Sequence, residues 1–124
     1  MNSTGLFDLA FRQNNWLAAR QSAVAANVAN ANTPGYRTRD VAPFDAVVSQ
    51  TMAMAGTNPM HFGGVAVSAR PVRTEASGGD RLHSGNDVNV EREFLKSGEV
   101  MRGYAMNAQI IKSFHRMLML SAKV

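Results

Sequence analysis

Residues 26–40 read Ala26-Asn27-Val28-Ala29-Asn30-Ala31-Asn32-Thr33-Pro34-Gly35-Tyr36-Arg37-Thr38-Arg39-Asp40. This run decides where helix gives way to connector. Ala23, Asn27 and Asn30 are four and three residues apart, so they share one helix face. Asparagine is a mediocre interior helix former. Two of them late in an alanine-rich helix predict side-chain amides bonded to groups outside it. Thr33 precedes Pro34 and is pushed toward extended geometry, so the helix is expected to stop near Asn32. Pro34-Gly35 suits the two central positions of a type II turn, where glycine accepts the positive φ. Tyr36 can then fold its ring back onto an apolar surface while its hydroxyl finds a partner.

Upstream, a helix is predicted from about Leu6 to Ala31. Its seam, at steps of three and four, is Phe7, Ala10, Asn14, Leu17, Gln21, Val24, Val28 and Ala31. The polar members Asn14 and Gln21 can fix register at some cost in stability. Trp16 falls off this stripe, one turn from Arg20, and is open to a second surface or to the connecting segment.

Downstream, Asn89 is a candidate N-cap for a helix over Val90–Ala122. Asp87, Glu91 and Glu93 fit the electrostatics of its start, and Lys112, Arg116 and Lys123 those of its end. Gly98 and Gly103 each weaken a helix interior by roughly 1 kcal/mol relative to alanine and allow a bend or a close helix approach. The seam is read as Val90, Phe94, Ser97, Met101, Tyr104, Ala108, Ile111, His115, Leu118 and Ala122, widened by Ile110, Phe114 and Met117. The two helices would be about 39 and 50 Å long. The side chains expected at the helix interface are Phe7, Leu17, Val24, Val28, Phe94, Met101, Tyr104, Ile111, Phe114 and Leu118.

The chain thus divides into an N-terminal amphipathic helix (1–32), a turn motif with a loop-rich middle (33–88) and a C-terminal amphipathic helix (89–124), one structural unit. The fold class is mainly α: long terminal helices form a coiled-coil-like hairpin. The middle is expected to hold a short helix over Phe44–Ala55 and short strands over Phe62–Val67 and Pro71–Glu75. The apolar face near Ile110–Leu120 would stay exposed on a monomer, which points to association.

With 124 residues there is material for one small domain. Hydrophobic residues make up 45% but aromatics only 7%, a balance that favours long thin helices over a large core. The net charge of +4 permits an acidic partner, but the charges are spread and no dense Lys/Arg run marks a nucleic-acid site. The absence of cysteine excludes disulfides, thiolate metal sites and a cysteine nucleophile. No apolar run reaches the roughly 20 residues of a membrane span, and no cleavable signal peptide is visible. His61, His83 and His115 lack metal-ligand spacing, and the glycine pairs lack the Lys-Ser/Thr of a phosphate loop. The expectation is no catalytic residue, no metal, no cofactor and no enzyme activity.

Ala26, Asn27, Ala29, Asn30, Thr33, Gly35 and Tyr36 fall on a pattern, Ala-Asn-x-Ala-Asn-x-x-Thr-x-Gly-Tyr, that resembles the N-terminal signature of the flagellar axial proteins. Pro34 and Arg37–Asp40 resemble the proximal rod members of that family. So does Gly85-Asn86-Asp87-Val88-Asn89-Val90-Glu91-Arg92-Glu93, with Asn89 and Val90 where the family usually has Asp and Leu. Tyr104 in mid-helix and the Thr57–His61 spacing are similar as well. The resemblance implies a structural subunit of the bacterial flagellar basal-body rod. Such a subunit is exported unfolded through the flagellar type III apparatus and polymerises in the periplasm through its terminal helices to transmit torque. Its partners would be itself, other rod proteins, the basal-body ring, the rod-base adaptor and the export apparatus, with no nucleic acid, small-molecule substrate or cofactor. Asn27, Asn30, Thr33, Pro34, Gly35 and Tyr36 would form the assembly motif. The alternatives are another axial protein of the same family or a small basic helical nucleic-acid-binding protein.

Overall fold

The structure, a computed structural model, describes residues 3–51 and 74–123. Helix α1 (Ser3–Ala29) leads into strand β1 (Arg39–Val41) and helix α2 (Phe44–Thr51). Strand β2 (Thr74–Ala76) precedes the long helix α3 (Val90–Ser121). The long helices at the two ends and the loop-rich middle are as the sequence predicts. The strand expected over Phe62–Val67, the end of the helix expected over Phe44–Ala55 and the Thr57–His61 element lie outside the described residues.

The start and end signals act as their chemistry requires. Asn89 has extended φ/ψ (−102°, 105°), and its side chain accepts the Arg92 N–H at 3.1 Å, capping α3. α1 ends at Ala29, two residues before the expected Ala31, because the chain tightens into i→i+3 bonds. Ala31 N–H donates to Val28 O at 3.2 Å, and Thr33 N–H to Asn30 O at 3.0 Å. β1 and β2 pair antiparallel with Asp40 opposite Glu75. β1 was not foreseen, since three residues centred on Arg39-Asp40 carry no strand periodicity.

α1 and α3 lie antiparallel. The Phe7 and Phe114 rings meet edge to face at 5.5 Å, and Asn107 Nδ2 donates to Ala10 O at 2.9 Å. Farther along, the Gln21 amide faces the Ser97 hydroxyl at 3.3 Å and the Asn27 amide donates to Glu93 at 3.0 Å. On α1 the buried positions Ala10, Leu17 and Val24 repeat every seven residues, on the expected stripe.

On α3 the buried row is Glu93, Val100 and Asn107, continued by half-buried Phe114. This seam runs beside the expected one. Phe94 and Met101 are 65% and 70% exposed, His115 is exposed, and Tyr104 and Leu118 sit at the edge. Ile111 is half-buried. The reason is specific pairing: Glu93 and Asn107 have partners on α1, which outweighs burial of Phe94 or Met101 in this hairpin.

Leu17 packs against Gly103, where an added Cβ would lie 2.9 and 3.3 Å from the two Leu17 methyls. Gly103 therefore serves close helix approach, whereas among the described residues nothing beyond its own helix backbone lies within 4 Å of such a Cβ at Gly98. Trp16 packs on the connecting segment. Its Nε1–H donates to Ala42 O at 2.7 Å, and its ring lies 5.9 Å from that of Phe44.

Gly98→Ala is expected to stabilise the monomer by about 0.5–1 kcal/mol through helix propensity alone. Gly103→Ala should gain less or lose, because buried Leu17 must shift. Thermal melts followed by circular dichroism compare the two, and equal gains would show that α1 does not rest on Gly103.

Candidate functional site

Asn27 lies at the end of α1 and is wholly buried. Its amide nitrogen donates to Arg39 O at 2.7 Å and to Glu93 Oε2 at 3.0 Å. Its amide oxygen accepts the Arg39 N–H at 3.1 Å and the Tyr36 hydroxyl at 3.3 Å. All four bonding positions of the amide are used, and they join α1, the turn, β1 and α3. The Asn30 amide is spent locally instead: it donates to Ala26 O at 2.8 Å and accepts the Thr33 hydroxyl at 3.1 Å.

Between these two asparagines and β1 lies the turn. Tyr36 N–H donates to Thr33 O at 3.2 Å, with Pro34 and Gly35 between and Gly35 at φ +74°, as a type II turn requires. Gly35 N–H reaches across to Ser84 O at 3.0 Å. The facing segment has its own positive-φ residue, Gly85 (φ +80°), where a Cβ would sit 3.4 Å from the Gly35 Cα. Two glycines therefore let two backbones touch.

The segment 84–93 completes the site. Buried Asn86 donates to Asn30 O at 2.9 Å and Thr33 O at 2.7 Å, a second hydrogen bond to each of two carbonyls in the turn that follows α1, and accepts the Val88 N–H at 2.7 Å. Buried Asp87 accepts from the Thr38 backbone N–H at 2.5 Å and from its hydroxyl at 2.6 Å, with Arg37 at 3.8 Å. The Thr38 hydroxyl, then its N–H, hold the Asp87 pKa below the usual carboxylate value. Burial opposes this and Arg37 assists. The two signature segments, from opposite halves of the chain, are thus the two jaws of one hydrogen-bonded clasp.

The sequence profile of the flagella basal body rod proteins matches residues 12–37, which end in one jaw of the clasp. The flagellar basal body rod protein FlgB of Agrobacterium fabrum is 45% identical to this chain over 132 residues, covering 99% of the chain and 96% of the relative. The chain belongs to the flagellar basal body rod protein family. That family is structural and not an enzyme family, and its place is the flagellar basal body.

In this rod protein an ion network braces the clasp. Lys96 Nζ lies 3.0 Å from Glu93 and 3.2 Å from Asp40. Arg20 lies 3.3 Å from Asp40, 3.0 Å from Glu99 and 5.5 Å above the Trp16 ring. Glu93 carries a carboxylate out of water, and the Asn27 amide with the Lys96 ammonium compensates it.

Of the expected assembly-motif residues, Asn27, Asn30, Thr33, Pro34, Gly35 and Tyr36 all fall in or beside one jaw. Sequence reasoning assigned Asp87 and Glu93 to helix-start electrostatics. It missed that Glu93 pairs with Asn27, and gave no site role to Thr38, Asn86, Asp40 or Lys96. Asp87 does not sit in the first turn of α3 at all. The available signal was a cluster of short polar residues around Gly85 with no local helix or strand to satisfy.

Asn27→Ala is expected to destabilise the monomer by about 3 kcal/mol, since buried groups of β1 and Glu93 lose partners worth roughly 1–3 kcal/mol each and are partly rehydrated. Asn27→Asp should cost more at pH 7 despite its matching shape, because it sets a carboxylate against Glu93. Urea titrations rank the two, and a milder Asn27→Asp would remove Glu93 from the node.

For Asp87 the folded pKa lies below the unfolded one, so its contribution is present above about pH 4 and is lost as pH falls through the folded pKa. Asp87→Asn should lower stability at pH 7 and make its fall toward pH 3 shallower, as read by melting temperature across that range.

Proposed function

We propose that the chain is a subunit of the proximal rod, exported unfolded and polymerising in the periplasm through its terminal helices to transmit torque. Its neighbours are other rod proteins and further copies of itself, with the basal-body ring, the rod-base adaptor and the export apparatus at the rod's inner end. The observation that carries this reading is the clasp. A rod under torsion needs subunits whose helices keep a fixed angle to the connecting region, and a clasp that ties α1, β1 and α3 together supplies that rigidity. The likeness to the flagellar basal body rod protein FlgB of Agrobacterium fabrum supports the same place in the assembly.

In this role the three parts of the chain act as one unit. The clasp sets the angle, and the helices extend from it to meet neighbours. Phe94 and Met101, turned outward from α1, and Leu118 at the seam edge join the contacts between subunits. Phe7, Leu17, Val24, Val28, Tyr104, Ile111 and Phe114 hold the hairpin that presents them. Head-to-tail contacts that do not close produce a filament and not a ring. Neighbours that bury the remaining apolar face complete the folding of the helix ends, so assembly and ordering are coupled.

Gly35→Val is the direct test. Among the described residues no atom beyond its chain neighbours lies within 4 Å of an added Cβ, so the effect is backbone strain at φ +74° and not collision. Expression and export should persist while rod assembly and swimming fail, and Gly35→Asn should retain partial motility because asparagine tolerates positive φ. Normal swimming of the valine variant would sink the role of the turn.

A further inference from the structure

The end of the hairpin remote from the clasp has a different surface. Met106, Ile110, Ser113, Met117 and Leu120 recur at steps of four and three along α3, so they form one stripe. Among them Met106, Ile110, Met117 and Leu120 are exposed. Leu6 of α1 and Phe114 close one side of this stripe, making an apolar groove continuous with the α1–α3 seam. On the other side lies a second shallow groove that includes Lys112 and Arg116. After Glu99 the chain holds Arg102, Lys112, Arg116 and Lys123 and no acidic residue.

We propose that this groove receives one helix of a different protein, with an apolar stripe and an acidic flank laid along Lys112 and Arg116. The inference rests on the rod-subunit reading and specifies the chemistry of one neighbour. Three observations carry it. The groove has one apolar edge already built by α1, so an incoming helix extends an existing helix pair into a three-helix packing. The bases flank the stripe on one side only, which suits a helix with a one-sided acidic edge. A lipid surface would call for basic side chains snorkelling on both sides.

A second copy offers the wrong helices. In α1 the only acid, Asp8, is already bridged to Arg12 at 2.9 Å, and α3 beyond Glu99 has none. The exposed acids Glu75, Asp80 and Glu91 lie toward the clasp end, Asp45 sits on the short helix α2 next to Phe44, which packs on Trp16, and Glu99 is bridged to Arg20.

The test uses the full chain and two fluorescein-labelled helical peptides that share one leucine stripe, with glutamates or lysines on the flank. Fluorescence anisotropy is read for the wild type and for the double variant Lys112→Glu/Arg116→Glu. The acidic peptide should bind the wild type at least about tenfold more tightly than the basic one, equivalent to ~1.4 kcal/mol. The double variant should remove that preference while its helicity by circular dichroism stays unchanged. A second double variant, Ile110→Ser/Met117→Ser, should weaken both peptides.

Equal binding of the two peptides overturns the proposal. So does self-association in sedimentation, or pelleting with phosphatidylglycerol vesicles, that the charge-reversed variant abolishes, since either hands the groove to another occupant. Failure here is separable from failure of the rod reading, because the Gly35→Val motility test does not involve the groove.

Discussion

The structure depends on a single buried amide. Asn27 pairs with the N–H and C=O of Arg39 much as a neighbouring strand would, and it uses its remaining donor and acceptor on Glu93 and Tyr36. No other side chain does this at that position. Aspartate has no donor, glutamine is one methylene longer, and an apolar residue would strand several buried polar groups. Because the amide is fully satisfied, a polar residue can occupy the place where a helix core would ordinarily want leucine. The direction in which the chain leaves α1 is thereby coupled to the position of α3.

The same logic runs along the helix pair. Asn107 donates to Asn14 at 2.7 Å as well as to Ala10 O, and Gln21 meets Ser97. These contacts do little for net stability, since their hydrogen bonds replace bonds to water. They do penalise other alignments: sliding α3 by one heptad either way separates both Asn107 from Asn14 and Glu93 from Asn27, and leaves at least one of the two facing no polar side chain of α1. The apolar residues, Leu17 on Gly103 and Val100 in mid-seam, supply attraction, and the polar ones choose the register.

This division explains what was legible in the sequence. The two long helices, the Asn89 cap and the Pro34-Gly35 turn are written in local chemistry, in periodicity, capping preference and permitted φ, and each appears where that chemistry puts it. The face of α3 that meets α1 is not local information. Phe94 and Met101 are the more hydrophobic choice for a seam. Glu93 and Asn107 take the buried positions only because partners stand ready 66 and 97 residues away. Likewise Asp87 and Asn86 look like loop or cap residues until Thr38 and the turn carbonyls of Asn30 and Thr33 are brought to them. The two signature segments were readable separately, but that they close on each other follows only from the fold.

The hairpin is therefore asymmetric in how far it satisfies itself. At the clasp end, every fully buried side-chain nitrogen and oxygen among the described residues has a partner, and acids and bases alternate in the chain from Glu93 to Glu99. At the other end the polar contacts between the helices among the described residues stop at Asn107, the Phe7–Phe114 ring contact follows, and α3 continues with exposed Met117, Met119 and Leu120 amid bases with no acidic residue after Glu99. A self-contained globule would gain by correcting that end. A subunit that must be rigid at one place and adhesive at another needs the difference. Rigidity comes from directional hydrogen bonds, which hold an angle but do not recruit partners. Adhesion comes from apolar area and unopposed charge, which recruit partners but hold no angle. The sequence places each kind of force at its own end of one helix pair.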